Sequence, residues 1–150
     1  MRTVLQRVSE ASVTIDGEVI SAITNGFLIL LGIEEADGPE DIAWLVRKIT
    51  KMRVFEDSEG KMNQSLLDHG GQLLVVSQFT LHASIKKGNR PSFINAARPD
   101  QAEPLYLNFC TALEKETGQS VGQGKFGAEM KVALINDGPV TIIIDSRNRE

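Results

Sequence analysis

A chain of 150 residues with a net charge of −4 and a single cysteine has the size of one domain, residues 1–150. A domain of this length buries about 70% of its unfolded surface and needs no staple. Cys110 alone excludes an internal disulfide and a cysteine-based zinc site, and two widely separated histidines argue against a His-rich metal site. The acidic balance argues against a broad nucleic-acid footprint but allows contact with one end of a nucleic acid. Met1 is not followed by a basic segment and then an apolar one, and no apolar run approaches about 18 residues, so the expectation is a cytoplasmic protein without a membrane span.

Residues 2–8 alternate, with Val4 and Val8 on one face and Gln6 between them, and residues 11–15 continue the pattern. Asp16-Gly17 signals a hairpin, from which residues 19–23 return, and Asn25-Gly26 signals a second turn. The apolar run 27–31 predicts a central strand buried on both faces. Asp37, Pro39 and Glu40 form a capping pattern for a helix whose apolar face is Ile42, Leu45, Val46, Ile49 and Met52. Lys48, Lys51 and Arg53 at its end suit the helix macrodipole. Residues 55–69 are polar and predict a loop with short extended pieces.

The run 73–76 predicts another buried strand, leading straight into Ser77, Gln78, Phe79, Thr80 and Leu81. Residues 84–93 are the most basic part of the chain and loop-like. A second helix is predicted from Asp100, with Glu103 as capping partner, an apolar face of Ala102, Leu105, Tyr106, Phe109, Cys110 and Leu113, and Gly118 as its stop. A glycine-rich stretch, 122–128, precedes two β-branched runs, 132–135 and 140–144. Between them stands Asn136-Asp137-Gly138-Pro139, read most simply as a tight turn joining two core strands. About seven strands, mostly in hairpin-like succession, with two main helices, predict an α/β fold: a mixed, mostly antiparallel, curved or barrel-like sheet with the helices packed outside.

Candidate chemistry is sparse. Ser77 and Thr80 sit at the end of a buried strand, a good address for functional residues. A nucleophile needs a base, and in an extended chain His82 would share a face with Thr80, but no Gly-x-Ser-x-Gly elbow surrounds the pair. The simpler readings are a half-exposed loop residue for His82, turn-forming surface for His69 and core for Cys110. Residues 122–127 resemble an anion-binding loop but follow a helix end, lack the phosphate-loop pattern, and better fit a turn or a close approach. Asp16, Glu34, Glu35 and Asp37 read as solvated turn and cap residues, with no metal-binding pattern. Pro139 has no N–H, so the carbonyls of Gly138 and Pro139 are free to face a ligand. If the chain is an enzyme, backbone groups and the substrate itself must supply what its side chains lack.

Ser77-Gln78-Phe79-Thr80 together with Asn136-Asp137-Gly138-Pro139-Val140-Thr141 resembles the paired signature of D-aminoacyl-tRNA deacylases. Residues 1–8, Ala11-Ser12-Val13, Arg90-Pro91-Ser92-Phe93 and residues 126–130 extend the resemblance along the chain. It implies hydrolysis of the ester between a D-amino acid, or a mischarged glycine, and the terminal adenosine of tRNA, a proofreading step in translation. It also implies a homodimer in which a cis Gly138-Pro139 peptide reaches into the partner's pocket and faces Ser77, Gln78, Phe79 and Thr80. Arg7 would brace that motif, and Asn136, Phe126 and Met130 would complete the substrate pocket. Fixed carbonyls would reject an L side chain by exclusion, backbone N–H groups near Phe79 and Thr80 would hold the oxyanion, and the adenosine 2′-hydroxyl would orient water. Lys86, Lys87 and Arg90 are candidate phosphate contacts, and no cofactor or metal is implied. Two alternatives stay open: a Ser/Thr esterase using Thr80 or Ser77, and a non-catalytic module that binds nucleic-acid ends.

Overall fold

In the computed structural model, which describes residues 1–149, one long strand organises the sheet. Strand β1 (Arg2–Ile15) pairs antiparallel with β2 (Glu18–Ile23) and β3 (Gly26–Gly32) along one edge and with β8 (Lys131–Asp145) along the other. The order β2-β1-β3 continues through β6 (Gln72–Ser77) and β7 (Gly122–Gln123), while β4 (Arg53–Glu56) and β5 (Met62–Ser65) form a separate hairpin. Three helices complete the domain: α1 (Pro39–Lys51), the single turn α2 (Leu66–His69) and α3 (Pro99–Thr117).

The alternation in β1 is real but changes phase. Thr3, Leu5 and Arg7 are buried, then Val8, Ala11 and Val13, with Ser9 and Glu10 exposed at the switch. Pairing with β8 slips on both sides of Val8. Such bulges bend a strand and increase its twist, which here carries β1 from one core to another. Leu5 joins the larger core with Phe27, Ile29, Leu73 and Val75, beneath α1 and α3. Val8, Ala11 and Val13 join a smaller one with Leu28, Leu74 and Val76. Alternate residues of β3 and β6 thus point into different cores, which is why both runs are apolar throughout.

The second half of the sheet departs from hairpin succession. β3 and β6 run parallel, as do β6 and β7, with α1 in the first crossover and α3 in the second. Residues 55–69 carry the rest of the β4–β5 hairpin and α2, so the short extended pieces are ordered.

Helix α1 is capped differently from the sequence pattern. Gly38 is the cap residue, and the carboxylate of Asp41, not Glu40, accepts from its N–H at 2.9 Å. Asp37 serves elsewhere, and its buried carboxylate accepts from the Met1 ammonium at 2.5 Å and from Arg147 Nε at 3.0 Å. A buried terminal ammonium needs a counter-charge, and Asp37 is the group that meets it. Helix α3 starts at Pro99 behind Arg98 and has no side-chain cap, so the Asp100–Glu103 capping pattern is not used. Its predicted apolar face does pack on the sheet, and Gly118 ends it at φ +70.

The largest departure concerns residues 131–145. They do not form two strands joined by a turn; both halves of β8 run antiparallel to the same strand, β1. Val8 pairs with Asn136 and Gln6 with Thr141, so Asp137, Gly138, Pro139 and Val140 stand opposite Arg7 alone. Without an N–H at Pro139 the ladder cannot continue through this point, and the chain bulges outward instead of reversing.

Candidate active site

The buried strand β6 ends at Ser77, and one more bond, from the Gln78 N–H to the Leu31 carbonyl at 2.8 Å, prolongs its register with β3. The chain then tightens into a 3₁₀ turn, Phe79–His82, whose first internal donor is the Leu81 N–H, bonded to the Gln78 carbonyl at 3.2 Å. The N–H groups of Phe79 and Thr80 precede that ladder, as the first donors of any helical turn do. The Gln78 side chain donates from Nε2 to Thr80 Oγ1 at 2.5 Å. Phe79 is exposed and meets Phe93 edge-on, with ring centroids 5.0 Å apart.

Beside this turn lies a cavity of about 570 Å³. Ser77, Gln78, Phe79, Phe93, Phe126 and Met130 line it, over a floor that includes Leu31, Ile33 and Ala102. None of its lining side chains is ionisable. The glycine-rich stretch contributes by close approach: a Cβ on Gly124 would come within 2.7 Å of Met130 Sδ. Thr80 is exposed on the turn next to the cavity and is not part of its lining.

His82 is buried, not half-exposed. Its Nδ1 lies 2.8 Å from Glu34 Oε1, and its Nε2 is enclosed against Gly32 without a hydrogen-bond partner among the described residues. The shared Thr80–His82 face required an extended chain. In a 3₁₀ turn two residues span about two-thirds of a rotation, so one side chain points out and the other in. Cys110 is fully buried on α3, and burial pushes its thiol up to about 12, which removes it as a nucleophile. His69 is exposed and stacks on Phe55, with ring centroids 4.5 Å apart.

A second constellation surrounds the bulge in β8. Arg7, buried in β1, donates from Nε to the Asp137 carbonyl at 3.0 Å and from Nη1 to the Val54 carbonyl at 2.5 Å. The Asp137 carboxylate stands 3.8 Å from the same guanidinium. Gly138 has φ +124, and the Gly138–Pro139 peptide bond is cis. A Cβ on Gly138 would meet Val140 Cγ2 at 2.9 Å and Arg7 Nη2 at 3.0 Å. Gly138 and Pro139 themselves are exposed.

The predicted residues therefore fall into two groups. Ser77, Gln78, Phe79, Phe126 and Met130 share the cavity, with Thr80 at its edge, whereas Arg7, Asn136, Gly138 and Pro139 gather at the bulge and none of them lines that cavity. Lys86, Lys87 and Arg90 lie apart from both on an exposed segment, closed by reciprocal Ser84–Ser92 backbone bonds of 2.8 and 2.9 Å. Sequence reasoning missed Ile33 and Ala102 as cavity residues. The one available signal was their apolar character, which core residues share.

Known proteins match the chain over nearly its whole length. A sequence profile described as D-Tyr-tRNA(Tyr) deacylase matches residues 4–145. A protein of Bacteroides thetaiotaomicron named D-aminoacyl-tRNA deacylase is 59% identical over 150 residues, covering 100% of both chains. A solved structure of a c-Myc DNA unwinding element binding protein superposes with a TM-score of 0.91 at 46% identity, over 97% of this chain and 98% of the other. A probable eukaryotic D-amino acid tRNA deacylase shares the fold, with a TM-score of 0.80 at 18% identity over 95% of this chain and 97% of the other.

Proposed function

The chain belongs to the D-Tyr-tRNA(Tyr) deacylase family and is an ester hydrolase of D-aminoacyl-tRNA, and we propose that its pocket is completed by Gly138 and Pro139 of a second copy. The observation that carries this reading is the separation within one chain. The cavity beside Ser77, Gln78 and Phe79 has one polar wall and no ionisable side chain, while the bulge exposes Gly138 and Pro139 and lies outside it. Symmetric pairing of two chains sets each bulge into the other's cavity, the self-complementary arrangement of a two-fold dimer.

In that pocket the ester carbonyl lies against the N–H groups of Phe79 and Thr80, which stabilise the oxyanion as it forms. The ribose 2′-hydroxyl of the terminal adenosine orients a water molecule. Its oxygen adds to the carbonyl carbon, the bond to the 3′-oxygen breaks, and the proton passes to that leaving oxygen. The products are the free D-amino acid and tRNA. The Gly138 and Pro139 carbonyls accept from the substrate α-ammonium and occupy the space an L side chain would need. A D side chain points away, and glycine has none to exclude, so glycyl-tRNA is also a substrate. Discrimination by exclusion exceeds what a difference in apolar contact supplies. With tRNA as substrate the site of action is the cytoplasm. Among the described residues no helix is long and apolar enough to cross a membrane.

The nucleophile reading for Thr80 is weaker. Its hydroxyl oxygen already accepts from Gln78, and the nearest histidine in sequence is buried against Glu34. The same absence of a base weakens it for Ser77.

The test is hydrolysis of matched D- and L-aminoacyl-tRNA, with only the D ester expected to react; equal rates would sink the chiral argument. The shared pocket is tested by complementation. Gly138→Ala and Phe79→Arg chains, each inactive alone, should regain about a quarter of wild-type activity after mixing and exchange, since half the dimers then carry one intact site. No recovery in a mixture shown to exchange subunits means that each chain builds its pocket alone.

A further inference from the structure

A larger groove than the apolar cavity lies on another face, between α1 and the end of β8, with a volume of about 870 Å³. Arg2, Arg47, Lys48 and Lys51 line it, against a single acid, Asp145. That acid is already engaged: it accepts from Arg2 Nε at 3.0 Å and from the Arg147 N–H at 2.9 Å. Arg47 is exposed, and its guanidinium has no hydrogen bond or ion pair among the described residues. Lys51 has only a long, exposed pairing with Glu116, at 3.9 Å. Trp44 holds two cations in place, with Lys48 Nζ 5.6 Å and Arg149 Cζ 4.6 Å from its ring centre. The helix macrodipole accounts for lysines in the last turn of α1, but not for Arg2 or Arg149, which arrive from other elements. In a chain of net charge −4, four cations lining one groove against a single acid suit a polyanion.

We propose that this groove binds the phosphate backbone of the tRNA whose terminal ester occupies the apolar cavity. The identity of the polyanion rests on the reading given under Proposed function. Arg2 connects the two places: its Nη1 donates to the Leu81 carbonyl at 2.8 Å, inside the turn that forms the cavity wall. A nucleic acid that ends in the cavity has its phosphates led past Leu81 into the groove. A second copy of this chain seated groove against groove is a poor occupant, because that pairing would set the same cations against one another. The segment bearing Lys86, Lys87 and Arg90 remains a separate candidate, and the experiment compares the two.

Arg47→Glu/Lys48→Glu and the milder Arg47→Gln/Lys48→Gln are made in the full chain, and hydrolysis is measured with D-aminoacyl-tRNA and with D-aminoacyl-adenosine, an ester without the phosphate backbone. On tRNA the Glu pair should raise KM by about tenfold or more with kcat retained, and the slope of log(kcat/KM) against log salt should flatten by about 1–2. The Gln pair should do the same to a smaller degree, and neither should alter hydrolysis of the adenosine ester. Unchanged kinetics on tRNA, or equal losses on both esters, overturns the proposal. So does a change in oligomeric state by sedimentation, which reassigns the groove to subunit contact. Loss of the entire salt dependence in Lys86→Glu/Lys87→Glu, with none lost in the groove variants, overturns it in favour of that segment. If the wild-type chain hydrolyses neither ester, the activity reading fails by itself. Binding of uncharged tRNA by fluorescence anisotropy then decides the groove: a salt slope that drops in the Glu pair supports it, and an identical slope or no binding rejects it.

Discussion

The same dipeptide occurs at two places on β1 and its partners, with opposite outcomes. At Asp16-Gly17 both residues have positive φ, +50 and +79, Ile15 pairs with Glu18, and the chain reverses into β2. At Asp137-Gly138 only the glycine does, at φ +124, and the chain continues in its original direction. The next residue differs: Glu18 has an N–H that can close a hairpin, and Pro139 has none. The surroundings of the glycine differ too. A Cβ on Gly17 would meet nothing within 4 Å, whereas one on Gly138 would press on Arg7 and Val140. Asp-Gly permits a sharp bend, and the neighbours decide whether the bend turns the chain or pushes backbone carbonyls into solvent.

Breaking the brace should have the largest effect. Arg7→Ala strands the Asp137 and Val54 carbonyls and leaves a hole beneath the bulge, at a cost of about 2–4 kcal/mol in stability. Thermal denaturation should show the loss, and kcat/KM on D-aminoacyl-tRNA should fall by about a hundredfold or more. Full activity in a folded Arg7→Ala protein would mean that the bulge holds its shape unaided. Gly138→Ala should come next. It places an L side chain at φ +124 within 3.0 Å of Arg7 Nη2, yet on an exposed segment. Hydrolysis should drop by about a hundredfold, or about 2.7 kcal/mol in the barrier, while circular dichroism still shows a folded chain and the melting temperature falls by several degrees from the strain at positive φ. An unfolded Gly138→Ala protein would make the glycine a folding requirement and not a device of the pocket.

How far the sequence could be read depends on the reach of each signal. The hairpin at Asp16-Gly17, the double-sided burial of Phe27 and Leu74, and the α3 face from Ala102 to Leu113 are set by residues within a turn or two, and pattern alone finds them. The continuity of β8 depends on β1, about 130 residues earlier, and no local rule distinguishes a bulge from a turn at Asp137-Gly138. The parallel crossovers were missed for a similar reason, since a run such as 73–76 states its burial but not its neighbour's direction. Asp37 looks like a helix cap until the Met1 ammonium is seen beside it. At the candidate site, Ser77 was legible as the polar end of a buried strand, whereas Gln78 and Phe79 were named only by the family resemblance. His82 was misjudged because the 3₁₀ turn sets it against Gly32, a distant neighbour that its own residues do not announce.

The Thr80 turn beside the cavity supplies a smaller test. If water and the substrate carry the reaction, the Thr80 hydroxyl only helps to fix the turn through its bond from Gln78. Thr80→Ala should then keep kcat within about tenfold of wild type, whereas a covalent nucleophile would cost about a thousandfold or more. A trapped acyl-enzyme would make the Thr80 hydroxyl the nucleophile in place of water.

The smallest effect belongs to the other Asp-Gly and tests whether the comparison is specific. Gly17→Ala also places a side chain at positive φ, +79, but in open space. The penalty is backbone strain alone, about 1–2 kcal/mol, offset in part because alanine restricts the unfolded chain more than glycine does. The melting temperature should fall by a few degrees and hydrolysis of D-aminoacyl-tRNA should be unchanged, because the hairpin between β1 and β2 lines neither the cavity nor the groove. Gly138→Ala should instead lose far more activity than its own loss of stability explains. If both substitutions lowered activity in proportion to stability, the two glycines would be equivalent turn residues, and the bulge would have no function beyond letting the chain pass Arg7.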